Sequence, residues 1–231
     1  MRLRRLADGL LRPSQRAWPI ASLLFGLLLT LASLSANWDF TLILKNAESR
    51  YGELGPAKSR ILAWSDLIQG SGELAESDKL RAVNSFFNQQ LHFTDDIRTW
   101  RSNDYWATPV EALIKGSGDC EDYSIAKYFT LRRLGVPAEK LRITYVKALR
   151  QNQAHMVLTY YKSPTADPLV LDNLIGEIRP ASQRNDLLPV YAFNAEGLYT
   201  GNKRAGDTKK LSRWQDLLKK MRAEGFAIGE G

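Results

Sequence analysis

The chain changes its hydrophobic rhythm three times. Residues 20–34, IASLLFGLLLTLASL, form one unbroken apolar run. From residue 47 to residue 134 the apolar positions recur every three or four residues, the period of amphipathic helices. The pattern predicts a helical segment over 47–69, broken near Gly52 to Pro56, and a helix over 77–93 with Ser77 as N-cap and Leu80, Val83, Phe86, Phe87 and Leu91 on its inner face. A short helix follows from Pro109 and runs into a flexible glycine loop. The next begins at Cys120 and stops before Gly135 and Pro137. After residue 141 the period falls to two, so 141–149, 155–161 and 168–174 read as strands, with more strand between 189 and 200. A basic amphipathic helix closes the chain after Thr208, with Leu211, Trp214, Leu217, Leu218 and Met221 on one side. Helices followed by an antiparallel set make an α+β fold.

The first 36 residues stand apart. They carry five arginines against one aspartate, a net +4, which leaves only +3 of the chain's +7 for the remainder. So mild a balance, with no basic block, is weak evidence for a phosphate-binding surface, and no nucleic-acid partner is expected. A basic start, a short apolar run and a small-residue exit at Ala36 form a secretory leader. The alternative is an uncleaved N-terminal membrane anchor, because Ala17–Trp38 is free of charge and nearly long enough to span a bilayer. Both readings place the following domain outside the cytoplasm, in the periplasm. The organisation expected is a leader or anchor at 1–36, one catalytic domain at 37–208, and a helical tail at 209–231.

Cys120 is the only cysteine, so an exported chain can form no internal disulfide and the thiol needs another explanation. A thiol nucleophile requires a base, and the base a group that fixes its tautomer. His155 opens one expected strand and Asp172 ends the next. If these strands form a hairpin around Ser163–Asp167, residues whose numbers sum to about 327 face each other, which sets His155 beside Asp172. Taken singly, each residue has an ordinary explanation: a buried thiol, a satisfied strand histidine, a turn carboxylate. His92, at a helix end, is expected to serve structure or charge.

The stretch GSGDCEDYS surrounds Cys120 with Asp119, Glu121 and Asp122. These acids suit the first turn of a helix, and they also offer hard oxygens to a calcium ion, with Asp95, Asp96 and Asp104 upstream as helpers. EF-hand spacing, CxxC, HExxH, P-loop and Rossmann patterns are absent, so zinc and nucleotide chemistry find no support. Trp100, Tyr105 and Trp106 precede the cysteine as core packing or as a surface for a partner or substrate.

The ordered strings TPVEALIKGSGDCEDYSIAKYFTLRRLGVP, LRITYVKA, AHMVLTYY, PLVLDNL and LLPVYAFNAEGLY resemble the bacterial transglutaminase-like cysteine proteinases over roughly residues 45–205. The resemblance implies a papain-like or transglutaminase-like fold, with the cysteine at the start of a central helix packed on an antiparallel sheet. It implies a Cys120–His155–Asp172 triad and Ca²⁺ at Asp119, Glu121 and Asp122. It further implies a large repeat adhesin as substrate, cut in its N-terminal region at a di-alanine site to disperse a biofilm. A LapD-type inner-membrane cyclic-di-GMP receptor would act as inhibitor, with Trp106 as its contact. A transglutaminase-type acyl transferase of the same fold and a non-catalytic binding module stay open as alternatives.

Overall fold

The computed structural model describes residues 38–228. The leader or anchor expected at 1–36 lies outside the described residues, and among those described no helix is long and apolar enough to cross a membrane.

Helix α1, Phe40–Tyr51, is capped by Asp39, whose carboxylate accepts the N–H groups of Thr41 and Leu42. Gly52, with φ of 78°, ends it, and α2, Pro56–Ser71, starts on a proline, so the break expected between Gly52 and Pro56 is present. Helix α3 spans Glu76–Gln90. Its N-cap is Ala75 rather than Ser77, and its first turn carries Glu76 and Asp78, so the macrodipole stabilises the start without a side-chain cap. It also ends three residues earlier than expected. His92 and Phe93 leave the helix as a two-residue strand, β1, which pairs in parallel with β2, Ser117–Gly118.

That pairing corrects the expectation of a flexible glycine loop. After the four-residue helix α4, Asp96–Thr99, α5 covers Pro109–Lys115. Thr108 and Glu111 form a reciprocal capping box at its start, and Gly116 at φ 65° turns the chain out of it. The outgoing chain is pinned to β1, so it delivers Asp119 and Cys120 from a fixed direction. Gly118 is required there: a Cβ would come within 2.7 Å of the Asp122 side chain.

Helix α6, Cys120–Arg133, is buried along its whole middle, from Asp122 to Leu131. It lies on β3 (Leu141–Ala148) and β4 (Gln153–Tyr160). The sheet continues through β5 (Leu169–Leu171), β6 (Arg179–Pro180), β7 (Leu187–Asn194), β8 (Gly197–Thr200) and β9 (Lys203–Gly206) in the order β6-β5-β4-β3-β7-β8-β9, antiparallel throughout. Helix α3 packs on α6, and α2, packed on α3 and α5, reaches α6 through Trp64, whose indole N–H donates to Thr130 at 2.9 Å.

Helix α7 spans Ser212–Ala223, starting later than Thr208, and it is no appendage. Trp214, Leu217, Leu218 and Met221 are fully buried, and the Trp214 ring stacks on Phe129 of α6 at 5.4 Å. A boundary drawn at residue 208 therefore crosses a single core.

Candidate active site and metal centre

Cys120 is the first residue of α6, where the leading N–H groups of a helix have no intrahelical partner. Its thiol is half-buried on a groove of about 610 Å³ that His155 and Met156 also line. The Met156 backbone N–H reaches the sulfur, so β4 runs past the thiol and His155 lines the same groove. The groove's apolar walls include the stacked pair Tyr145–Tyr191, 5.1 Å apart, and Phe193 under Trp106.

The His155–Asp172 pairing holds, with a different register. Leu158 faces Leu171 and Tyr160 faces Leu169, so facing numbers sum to 329 rather than 327. Strand β5 ends at Leu171, and Asp172 sits just beyond it, diagonal to His155 instead of opposite. A shift that preserves parity keeps both side chains on one face, and the diagonal neighbour stays within reach. His155 Nε2 and Asp172 Oδ1 are 2.8 Å apart, both buried. An ionised carboxylate only accepts, so Nε2 carries the hydrogen, and Nδ1 is the ring nitrogen that Asp172 does not engage.

Burial would raise the Asp172 carboxyl, but the hydrogen bonds from His155, the Leu174 N–H and Arg184 overcome it and hold it down at about 2. Arg184 escaped the sequence reading. It lies in the loop before β7, is 2% exposed, and donates to Asp172 Oδ2 at 2.7 Å. Asn88 of α3 grips the Asp172 main-chain carbonyl at 2.8 Å. Beneath them the buried Lys127 is pushed down to about 7 by desolvation, which the charge of Asp172 only partly offsets. The single available signal for Arg184 was its charge in an otherwise strand-rich stretch, which is no signal.

The acids form three overlapping groups: Asp119 and Asp122 converge with Asp96, Glu121 converges with Asp96 and Asp104, and Asp119 and Glu121 flank the Cys120 sulfur; within each group the ligand atoms lie within 4.8 Å of one another. Successive residues on a helix point about 100° apart, so Glu121 and Asp122 aim differently, and both Asp119 and the buried Asp96, 3% exposed, share a group with each of them. Asp95 lines the groove but belongs to none of the groups. Asp122 accepts from Ala107 N at 2.8 Å and Asp119 N at 3.3 Å, and Tyr105 N donates to Asp96 Oδ2, which ties the loop ahead of α5 to the cluster.

Burial, then mutual repulsion, lifts Asp119 to about 10 and Asp96 to about 6, and raises Asp122 well above the carboxylate range. Asp96 Oδ1 and Asp119 Oδ1 are buried without any hydrogen-bond donor. Hard oxygens, two of them unsatisfied, in a nest of carboxylates that cannot ionise together fit a divalent cation of the Ca²⁺ class. The thiol also feels this nest. Burial first, then the charge of Glu121, push Cys120 well above its ordinary value, and its S–H donates to Glu121 at 3.1 Å.

Trp106 lies half-buried on the groove wall, stacked on Phe193 with its carbonyl bound by Lys220 of α7 at 2.6 Å. Trp100 stacks on Tyr105 at 4.4 Å, away from that wall, and His92 is exposed at the start of β1.

Residues 69–186 match the family model described as bacterial transglutaminase-like cysteine proteinase BTLCP. Among solved structures, LapG of Legionella pneumophila is 46% identical over 78% of this chain and 97% of its own, with a TM-score of 0.68. Calcium-bound LapG from the same organism is 45% identical over 79% and 99% of the two chains, TM-score 0.69. The EGTA-treated form gives 45%, 78% and 97%, with 0.70. No curated protein sequence matches. A cysteine at the head of the central helix, a histidine–aspartate pair on the sheet beside it, and these matches together lead to one conclusion: the chain belongs to the bacterial transglutaminase-like cysteine proteinases.

Proposed function

We propose that this chain is a calcium-dependent cysteine endopeptidase of the periplasm, with Cys120 as nucleophile, His155 as general base and Asp172 as the residue that orients it. The observation that carries the reading is the 2.8 Å His155–Asp172 hydrogen bond on the strand whose next residue touches the thiol. Nε2 is engaged, so the thiol proton moves to Nδ1. The thiolate attacks the scissile carbonyl carbon, and the oxyanion accepts from the Cys120 backbone N–H at the head of α6. Collapse breaks the C–N bond while His155 returns its proton to the leaving amine. Water, deprotonated by His155, then hydrolyses the thioester and frees the thiol.

Asp96, Asp119 and Asp122, with Glu121 and Asp104 beside them, would hold the calcium ion. Bound there, it supplies positive charge against the carboxylates that otherwise keep the thiol protonated. The calcium-bound and EGTA-treated forms of LapG support this part of the reading.

The substrate in this reading is the N-terminal region of a large repeat adhesin, cut beside paired alanines so that the biofilm disperses. Its inhibitor is a LapD-type inner-membrane cyclic-di-GMP receptor that engages Trp106. Identity of 46% along nearly all of LapG supports it. Incubation with an adhesin N-terminal fragment should yield two products by mass, none with EGTA, and none with Cys120→Ala. A covalent amine adduct in place of two fragments would make the chain an acyl transferase, and cleavage by Cys120→Ala would sink the mechanism.

A further inference from the structure

Three donors hold the Asp172 carboxylate. Oδ1 accepts from His155 Nε2 at 2.8 Å and from Leu174 N at 3.0 Å, and Oδ2 accepts from Arg184 Nη2 at 2.7 Å. Without the third, the carboxylate could pivot about its Cβ–Cγ bond and offer His155 either oxygen in a range of planes. Arg184 is itself held. Its Nε donates to Asp186 Oδ1 at 3.0 Å and its Nη2 to Asp186 Oδ2 at 2.9 Å, a two-point grip that sets the guanidinium plane. Asp186 is tied to the β3–β4 hairpin, because its carbonyl accepts from Leu149 N at 2.8 Å. A continuous chain of polar contacts therefore runs from that hairpin through the partly exposed Asp186 to the buried Arg184, Asp172 and His155 ring.

We propose that Arg184 is a positioning residue for the reaction, locked by Asp186, and that through Asp172 it sets the tautomer and aim of His155. The inference rests on the proteinase reading, in which His155 Nδ1 must point at the thiol. Arg184 does not line the groove, and its contact with the His155–Asp172 pair is made at Asp172. The fork is the essential feature, since one nitrogen, Nη2, serves both carboxylates while Nε completes the second contact. A lysine would retain the charge and lose the plane.

The chain has two histidines, which makes ring ¹⁵N spectra readable, and His92→Gln assigns them. In the full protein His155 should show the Nε2–H tautomer. Arg184→Gln should mix the tautomers and lower kcat at least ~10-fold, short of the ~10⁴-fold that a fixed wrong tautomer costs, with KM changed much less. Arg184→Lys should recover part of the loss, and Asp186→Asn should give a smaller loss of the same kind. A folded Arg184→Gln protein with the parental ring spectrum and kcat overturns the proposal, as does an Arg184→Lys protein no better than it. If Arg184→Gln fails to fold, wild-type spectra and kcat in both Arg184→Lys and Asp186→Asn overturn it instead. The ring spectra need no substrate, so they judge Arg184 separately from Cys120→Ala, whose continued cleavage would remove the proteinase reading itself.

Discussion

Asp172 is where the chemistry of single residues is most concentrated. Its carboxyl is held at about 2, below an ordinary aspartate, despite burial that works the other way. A carboxyl depressed in the folded state stabilises the protein above its unfolded value, near 3.8, and that contribution disappears as pH falls through about 2. The lowering corresponds to about 2 kcal/mol. Urea unfolding between pH 5 and pH 2.5 should therefore show an acid loss of that order in the parent that is missing in Asp172→Asn. The variant should also be inactive and less stable at neutral pH, since Arg184 would be left buried with half its partners. An unchanged acid limb would mean that the His155 and Arg184 contacts do not hold the carboxylate as described. Residue type and order made Cys120, His155 and Asp172 legible in the sequence. Arg184 was not, because an arginine twelve positions after an aspartate has no periodic or motif relation to it; only the loop's return to the end of β5 makes them neighbours.

At the scale of elements, position depends on how each segment is clamped. Helix α6 aims Cys120 because β2 is paired to β1 ahead of it, a two-residue parallel pairing too short for any periodicity to reveal. The register of β4 and β5 moved by two in the pair sum, yet the site survived, since parity alone decides the face a side chain takes. Helix α7 shows the opposite case. Its apolar stripe was plain in the sequence, but a stripe does not say what it faces. Trp214 packs among Tyr128, Phe129 and Phe193, and Lys220 at the other end holds the Trp106 carbonyl and the buried Glu111. Trp214→Ala should cost about 3–5 kcal/mol, read from chemical denaturation. A loss below about 1 kcal/mol would show the helix to be peripheral after all.

For the whole molecule, the question is how a cation would be felt beyond its ligands. The acidic cluster joins the loop ahead of α5, α4 and the head of α6. A ligand that binds only the folded state raises stability by about 2.7 kcal/mol at a hundred times its dissociation constant. Saturating calcium should raise the melting temperature and EGTA should reverse the rise. Asp96→Asn should remove most of the effect, because Asp96 is buried and shares a group with Asp119, Asp122, Asp104 and Glu121, while Asp95→Asn, in none of the groups, should leave it intact. A full calcium shift in Asp96→Asn would move the metal site elsewhere.

By itself the sequence determined the helical and strand periods, the α+β class, the single thiol with a candidate histidine and aspartate, and a concentration of acids around that thiol. These are properties of residue type and short spacing, which the backbone's two periodicities turn directly into faces. Tertiary structure alone decided that β1 and β2 immobilise the approach to Cys120, that Asp172 meets His155 on the diagonal, that Arg184 completes its coordination, and that of the upstream acids Asp96 and Asp104, but not Asp95, converge with those around Cys120. Each of these joins residues distant in sequence or set by loop geometry, and no local pattern encodes where a loop returns.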